Sequence, residues 1–392
     1  MKVKSEVELR QEAIRRYLTG EKPSLICTVL QRTKPWFYKW LNRYRAGREN
    51  WFQEVSRRPR HHYRQTATEM EDMIVELRQE LSKTLYAQIG ALAIQWKMTS
   101  LGMTPLPIST INRILKRRGL IDKKTKYHPS GIDYPKVGMD WPNSVHQLDL
   151  VGPRYLHDQV RFYSFNLIDA YSHQISLFPC PSKGDTPAVE ALIKAWKRIG
   201  KPDFLQVDNE LFFRGSNRYP RSFGLVIRFC LSLGVQPVFI PQGEPWRQGV
   251  IEKFNDVYDK IFFRSQEFHS WEHLNKCSND FESFHNQNHR YSALQGKTPN
   301  QIVKEQNPSP WLLESEYQLP NEKIPLESGY IHLIRFIRSD KILNIFGERF
   351  FLPQVPVYEY VTATICVNCH TIKIYQDNRL LGEIEYRLPV DW

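Results

Sequence analysis

The first part of the chain carries apolar residues at helical spacing, broken by glycine, proline and short polar turns. Residues 5–19 repeat apolar side chains every three or four positions, and residues 24–31 predict a second, shorter helix. A third helix is predicted from Thr33, a residue type that favours the start of a helix, to Gly47. Three short helices with a tight turn before the third predict a helix-turn-helix unit over residues 1–54.

A second set of helical patterns follows. It predicts another helix-turn-helix unit over residues 65–126, whose middle helix covers 86–98 and whose last helix stops at Gly119. A basic, proline-containing linker is predicted at residues 55–64, and a second proline-containing linker at 127–142.

From residue 143 onwards, short runs rich in Val, Ile, Leu and Phe predict β-strands. Three strands come first and helices then alternate with strands, so we expect an α/β core with trailing helices over residues 143–304, followed by a linker at 305–328. Short alternating strands in 329–392 predict a small β-barrel. The predicted fold class is multidomain, with tandem all-α helix-turn-helix units, an α/β core and a small C-terminal β-barrel.

Charge is distributed unevenly along the 392 residues, which carry a formal net charge of +12. Residues 1–64 hold 16 Lys and Arg against 6 Asp and Glu, whereas residues 131–392 hold 28 against 30. A basic N-terminal part joined to a near-neutral body favours an arm that binds nucleic acid, and the alternative is a solvated basic surface that aids solubility. No apolar run reaches the ~18–20 residues of a membrane span. The N-terminus lacks the apolar segment of a signal peptide, so we expect a cytoplasmic, nucleoid-associated protein that does not bind membranes.

The six cysteines are scattered, which argues against a disulfide framework. Only Cys366, Cys369 and His370 have a spacing typical of metal ligands, and the sequence offers no second such pair to complete a tetrahedral zinc site. Reduced, buried thiols near a hairpin turn are the favoured alternative.

Three carboxylates occupy places where they can meet. Asp149 lies inside the first α/β strand, Asp208 ends the strand FLQVD, and Glu252 lies in the first turn of a helix after PQGEPWRQG. Clustered carboxylate oxygens suit Mg²⁺ or Mn²⁺, and two such ions can activate an attacking oxygen and stabilise a leaving one in phosphoryl transfer.

The segments HQLDLVGP, LQVDNE, LGVQPVFIPQGEPWRQGVIEKFND and FHNQNHRYSALQGKTPNQIV resemble the DDE transposases of bacterial insertion sequences, which have a retroviral-integrase-like core. The resemblance extends over most of the chain and is most specific in residues 235–256. It implies an RNase H-like core and a catalytic, metal-binding triad of Asp149, Asp208 and Glu252. It also implies that water, and then a DNA 3′-hydroxyl, attacks phosphodiesters of double-stranded DNA in a homo-multimer.

Basic and polar residues on three predicted helices are candidate DNA contacts, although an ordinary solvated helix face is the alternative for Lys253 and Asn255. The candidates are Lys34, Lys39, Arg43, Arg45, Arg113, Lys116, Arg117, Arg118, Lys253 and Asn255.

Four departures or secondary candidates remain. His173 stands where the family usually has Arg, and 44 positions separate Asp208 from Glu252, longer than in retroviral integrases. Asp169 either supports the metal site or caps a turn, and Trp246 either stacks on a base or packs under its loop. A catalytically idle copy that acts as a DNA-binding regulator is the second function hypothesis, and a nuclease of related fold is the third.

Overall fold

A computed structural model describes residues 5–47, 49–54, 66–121, 134–135, 137–216, 218, 221–306 and 310–389. The predicted linker 55–64 and residues 127–133 of the second predicted linker lie outside these ranges. The chain divides into two compact units, residues 1–67 and 68–392, here called the N-terminal and C-terminal units. No helix in the described ranges is long and apolar enough to cross a membrane.

The N-terminal unit contains three helices, α1 (Glu6–Leu18), α2 (Pro23–Val29) and α3 (Lys34–Arg45). Ser5 begins α1 with a capping box that it shares with Glu8, and the Thr33 hydroxyl accepts a hydrogen bond from the Trp36 amide at the start of α3. These caps satisfy amides that helix geometry leaves unpaired. The three helices bury a small core, as the sequence predicts, formed by Ala13, Ile14, Ile26, Cys27, Phe37 and Leu41.

The C-terminal unit begins with a second trihelical group, α4 (Thr68–Lys83), α5 (Ala91–Ser100) and α6 (Ile108–Arg117). The middle helix starts at Ala91, whereas the sequence pattern predicts a start at residue 86. The reason is tertiary: Tyr86 has a positive φ of 66° and inserts its ring beside Phe281 at a centroid distance of 5.1 Å. The trihelical group is therefore packed on the α/β core.

A mixed sheet forms the centre of this unit. Strands β1 (Val145–Tyr155), β2 (Arg161–Asp169) and β3 (Ile175–Cys180) are antiparallel, while β4 (Phe204–Val207) and β5 (Gln236–Phe239) continue the sheet parallel to β1. The helices are α7 (Asp185–Arg198), α8 (Leu211–Arg214), α9 (Leu225–Ser232), α10 (Gly249–Val257), α11 (Trp271–Asn288) and α12 (Pro299–Gln306).

Helices cover both faces of these five strands, and most of the strand residues are therefore buried. On one face Trp196 of α7 stacks on Phe229 of α9 at a centroid distance of 5.4 Å. On the other, Phe254 of α10 and Phe281 of α11 belong to one apolar cluster with Leu177 of β3. The predicted α/β core with trailing helices is observed.

The last six strands do not form the predicted barrel. They are β6 (Tyr330–Ile337), β7 (Ile342–Ile345), β8 (Glu348–Phe351), β9 (Glu359–Cys366), β10 (Thr371–Gln376) and β11 (Arg379–Glu385). Strand β6 pairs in parallel with β5, and the described residues form one open sheet in the order β11-β10-β9-β6-β5-β4-β1-β2-β3, with β7 and β8 as a separate hairpin. Pairing with β6 satisfies the backbone groups that β5 would otherwise expose at an edge. Alternation of apolar residues predicts strands but does not specify their partners, so the barrel prediction was wrong.

Cys366 and Cys369 are joined by a disulfide in the turn between β9 and β10. The sequence correctly predicts their position at a hairpin turn, but it predicts reduced thiols where the structure has a disulfide.

Candidate active site

The three carboxylates approach each other at the carboxyl edge of the central strands. Strands β1 and β4 are parallel, with Gln147 opposite Gln206. Asp149 and Asp208 each follow by two residues, and because side chains alternate along a strand they point to the same face at the same level. Glu252 lies in the first turn of α10.

Gln147 fixes the start of α10 relative to the two strands. Its side-chain amide donates to Gln206 Oε1 at 2.7 Å, and its own oxygen accepts from the Ile251 amide at 2.9 Å. Both glutamines are buried, and a buried polar group of this kind is costly unless it is paired. Gln147 therefore holds the turn that carries Glu252. Gln147 was not among the predicted site residues, although a glutamine stands two positions before each aspartate in HQLDL and LQVDN.

Asp149 is held by a relay of side chains from two elements, α10 and β2. Asn255 Nδ2 on α10 donates to Asp149 Oδ2 at 2.7 Å, and Asn166 Nδ2 on β2 donates to Asn255 Oδ1 at 2.8 Å. Ser164 in turn donates to Asn166 Oδ1 at 2.8 Å. The Leu150 amide gives Asp149 Oδ1 a second donor at 2.9 Å. The Asn255 side chain thus positions the Asp149 carboxylate, whereas the sequence predicts it as a DNA contact.

The three carboxyl groups share an environment that disfavours negative charge. Burial raises the pKa of Asp208 to about 6, with the neighbouring charge of Asp149 adding to the effect. Burial and the charge of Glu252 raise the pKa of Asp149, and burial raises that of Glu252. Asp149 is thus electrostatically coupled to both of the other groups. Three carboxylates that repel one another at a half-buried site make a donor set that fits a hard divalent cation.

The carboxylate oxygens of Asp149, Asp208 and Glu252 do not all lie within 4.8 Å of one another. In the described ranges, the set of three His, Cys or acidic side chains whose ligand atoms all lie within 4.8 Å of one another is His157, Glu267 and His269, not the triad. The charge of Asp149 contributes to the raised pKa of Asp208, and the charge of Glu252 contributes to that of Asp149.

Asp169, the secondary metal candidate, is fully buried in a turn. It accepts hydrogen bonds from the amides of Asn143, Tyr171 and Ser172 and from the Ser172 hydroxyl. The bonds from Tyr171 and Ser172 organise the loop after β2, and the bond from Asn143 joins this loop to the segment before β1, so the structure supports the turn alternative.

Trp246 is 56% exposed, which contradicts the alternative that it packs under its loop. The loop is held instead by Glu244 and Arg247, which both hydrogen-bond the Tyr360 hydroxyl of β9, at 2.7 and 2.8 Å. The segment before Glu252 is therefore tied to a strand of the C-terminal sheet extension.

His285 and His289 support the core of the C-terminal unit. His285 is buried and its Nε2 lies 2.8 Å from the Tyr291 hydroxyl. His289 Nε2 lies 2.9 Å from Gln88 Nε2, next to the trihelical group. Burial lowers the pKa of both histidines, and both therefore remain neutral at physiological pH.

Several candidate DNA contacts of the N-terminal unit have protein partners. Lys39 and Arg43 form ion pairs with Glu54, and Arg45 donates to the Tyr17 hydroxyl at 3.1 Å. Lys34 is exposed at the start of α3. Such surface pairs are weak and exchange readily with phosphate, so DNA contact by these four residues stays a prediction.

In the second helical group, Arg117 and Arg118 pair with Glu71, and Arg118 also pairs with Asp72, which fastens α6 to α4. Arg113 donates to the Thr110 hydroxyl, and Lys116 is exposed. On α10, Lys253 pairs with Asp256 and its side chain is 72% exposed. Their contact with DNA stays a prediction as well, and Arg117 and Arg118 have a structural role in addition.

Two family models match parts of the chain. Residues 233–299 match the integrase core domain, and residues 4–50 match a homeodomain-like domain. These matches confirm the resemblance in sequence to integrase-type proteins, because they cover the segment with Glu252 and the first trihelical unit. They support a transposase or integrase that binds and recombines DNA.

Among solved structures, the chain is similar to the HTLV-2 integrase catalytic core domain in complex with magnesium, in its dimeric form. The two share 19% identity at a TM-score of 0.33, and the match covers 42% of this chain and 99% of the HTLV-2 chain. It is also similar to the BIV integrase catalytic core domain, with 16% identity and a TM-score of 0.32, covering 42% and 96%. A chain of the simian T-cell lymphotropic virus intasome in complex with the PP2A regulatory subunit B56 gamma shares 15% identity at a TM-score of 0.38, covering 75% and 93%. Because the identities and TM-scores are low, we base no conclusion on these likenesses. A search of curated proteins finds no match.

Proposed function

We propose that the protein is a DNA transposase of the DDE class, which cuts the phosphodiester at the ends of a mobile element and joins the freed 3′-hydroxyl to target DNA. The observation that carries the proposal is that Asp149 on β1 lies level with Asp208 after β4, while hydrogen bonds from α10 to Gln147 and Asp149 hold the helix whose first turn carries Glu252 against β1. The integrase core match in residues 233–299 includes Glu252 and supports the same reaction class.

Asp149, Asp208 and Glu252 would hold two Mg²⁺ or Mn²⁺ ions. When bound, such ions activate the attacking oxygen and stabilise the charge on the leaving oxygen in phosphoryl transfer. The raised pKa values of the carboxyl groups also mean that cation binding competes with protons.

The surrounding side chains orient these carboxylates. Asn255 directs Asp149 Oδ2, and the Leu150 amide directs Oδ1. Gln147 holds the first turn of α10 and with it Glu252. Preorganised ligands of this kind reduce the rearrangement needed at the moment of reaction.

Double-stranded DNA is the proposed partner, at both the element ends and the target, and the protein would act as a homo-multimer on it. The C-terminal unit places three carboxylates together, which repel phosphate until they are neutralised. Basic helices, including those with Lys34 and Lys116, would therefore hold the DNA end while the core approaches.

Strand transfer tests the proposal against the second hypothesis, a catalytically idle DNA-binding regulator. The full chain is incubated with Mg²⁺, a labelled duplex from the DNA that flanks its gene, and a target plasmid. We expect labelled DNA to be joined to the plasmid by the wild type and by Glu316→Gln, an exposed carboxylate outside the site, but not by Glu252→Gln. DNA binding without joining by the wild type would favour the regulator.

A further inference from the structure

Two loops on the C-terminal unit bring two histidines and a glutamate together away from the carboxylate triad. His157 follows β1, whereas Glu267 and His269 lie between the 3₁₀ turn Phe263–Ser265 and α11. Their ligand atoms all lie within 4.8 Å of one another, and the rings of His157 and His269 are 5.3 Å apart between centroids. We propose that His157, Glu267 and His269 form a binding site for Zn²⁺ or a similar late first-row divalent cation.

The backbone holds both loops in place. The His157 amide donates to the Phe268 carbonyl at 2.9 Å, which joins the loops directly between the proposed ligands. Leu156 and Phe268 are 4% and 3% exposed, so each loop is anchored by a buried apolar side chain next to its ligands. Phe268 packs on Phe262, with ring centroids 5.1 Å apart. The three ligands are therefore carried on a fixed frame.

The side chains point outward because of this anchoring. Glu267 and His269 flank the buried Phe268, and since side chains of extended backbone alternate, both project to the exposed side. Within the described ranges, no other side chain forms a hydrogen bond or ion pair with the ligand atoms of His157, Glu267 or His269. The three groups are thus available to an ion.

The donor set selects the cation. Zn²⁺ accepts imidazole nitrogen and carboxylate oxygen in a tetrahedral arrangement, and two histidines with one glutamate are an established zinc donor set. Mg²⁺ prefers an all-oxygen shell, such as the triad offers. Bonds of about 2.0–2.1 Å at tetrahedral angles place ligand atoms roughly 3.4 Å apart, so small side-chain rotations would close the site. The fourth position is open to water or to His273, whose ring lies parallel to that of His269 at 5.8 Å.

An ion there would brace the two elements that carry the candidate catalytic carboxylates. His157 lies just beyond the strand with Asp149, and Glu267 and His269 follow the helical segment that starts with α10, the helix with Glu252. An ion pair between Arg154 and Asp259, with a 2.8 Å contact, already joins these segments. The proposed site therefore has a structural role that is independent of the reaction.

Zinc titration of the full chain tests this site. Zn²⁺ is titrated calorimetrically in the presence of excess Mg²⁺, which occupies oxygen-donor sites, and Co²⁺ is used in parallel for its visible absorption. We expect one Zn²⁺ per chain in the wild type and a rise of roughly 5 °C in the melting temperature at saturating Zn²⁺. His269→Gln and Glu267→Gln should each weaken Zn²⁺ binding by more than roughly 10–100-fold, the loss caused by removing a residue that only hydrogen-bonds a metal ligand. Both variants should keep the melting temperature of the metal-free wild type, because both residues are exposed.

His370→Ala is the matched control, since His370 is also exposed but lies beside Cys366 and Cys369. It should bind Zn²⁺ like the wild type. The proposal is overturned if the wild type binds no Zn²⁺ in excess Mg²⁺, if His269→Gln binds as tightly as the wild type, or if His370→Ala loses the ion. None of these results depends on DNA cleavage, so the transposase proposal stands or falls separately.

Discussion

Replacing Asp208 by Asn should abolish strand transfer and yet stabilise the protein at neutral pH. Burial and the charge of Asp149 raise the pKa of Asp208 from 3.8 to about 6, so the folded state disfavours the charged form. A shift of about 2 pKa units corresponds to roughly 3 kcal/mol of destabilisation when the group is ionised. Asn has the same shape, stays neutral and keeps an oxygen that accepts from the Glu210 amide, the bond that Asp208 now makes at 3.0 Å.

The pH dependence gives the prediction its sign. At pH values below about 4, Asp208 is protonated in both the folded and the unfolded state, so the variant and the wild type should be equally stable. Between pH 4 and 6 the unfolded group ionises first, and the wild type loses stability relative to the variant. Above pH 7 the difference should reach its full value. For a unit of about 300 residues this is a melting temperature higher by roughly 6 °C, taking about 2 °C per kcal/mol.

Thermal unfolding followed by circular dichroism, with EDTA present and the pH varied from 4 to 8, measures this effect. Asp158→Asn is the control, because Asp158 also accepts from the amide two residues ahead, that of Val160, but is exposed. The control should change little at any pH. The electrostatic reasoning would be refuted if Asp208→Asn were less stable than the wild type at pH 7.5. It would also be refuted if the variant were more stable by the same amount at every pH.

Three further predictions concern residues around the site. Asn255→Ala removes a donor to ionised Asp149 and should therefore raise the pKa of Asp149 further. Mn²⁺ binding, followed by electron paramagnetic resonance, should then require a higher pH, whereas Lys253→Ala should not change the pH dependence. Tyr360→Phe removes the hydrogen bonds of the Tyr360 hydroxyl with Glu244 and Arg247 and should lower the unfolding free energy by about 1–2 kcal/mol. Chemical denaturation measures this change, and the control Tyr358→Phe, at an exposed tyrosine, should change the unfolding free energy little. Lys34→Ala and Lys116→Ala should each make DNA affinity less dependent on salt, which fluorescence anisotropy measures. The slope of log affinity against log salt concentration should become shallower by about 0.9 per lost phosphate contact. An unchanged slope would remove that residue from the DNA interface.

The sequence predicted the local elements better than their tertiary partners. Helical periodicity and the Thr33 cap were sufficient for α1 to α3, because each short helix buries one apolar stripe. The pattern failed at residue 86, since Tyr86 packs on the distant Phe281 and tertiary contact overrides local preference. The barrel prediction failed for a similar reason: strand alternation does not distinguish pairing with β5 from closure among the last six strands.

For the candidate site, the three carboxylates were found from the residues and their resemblance to a family, but the groups that position them were not. Gln147 and Asn166 are fully or almost fully buried, and their importance depends on hydrogen bonds that cross between elements far apart in sequence. Asn255 was predicted as a DNA contact because it follows Glu252 on an amphipathic helix. Only the register of α10 against β1 shows that its side chain reaches Asp149.

Strand transfer by Asp149→Asn, measured together with DNA affinity on the same preparation, tests the central claim most directly. Asp149 is the carboxylate coupled to both Asp208 and Glu252, and the substitution keeps its shape. We predict that joining of labelled end DNA to a target plasmid in Mg²⁺ falls at least about 100-fold. The dissociation constant for the end DNA should stay within about twofold of the wild-type value, because the basic helices still hold the phosphates. Strand transfer close to the wild-type level, with DNA bound equally well, would contradict the assignment of this cluster as the catalytic site.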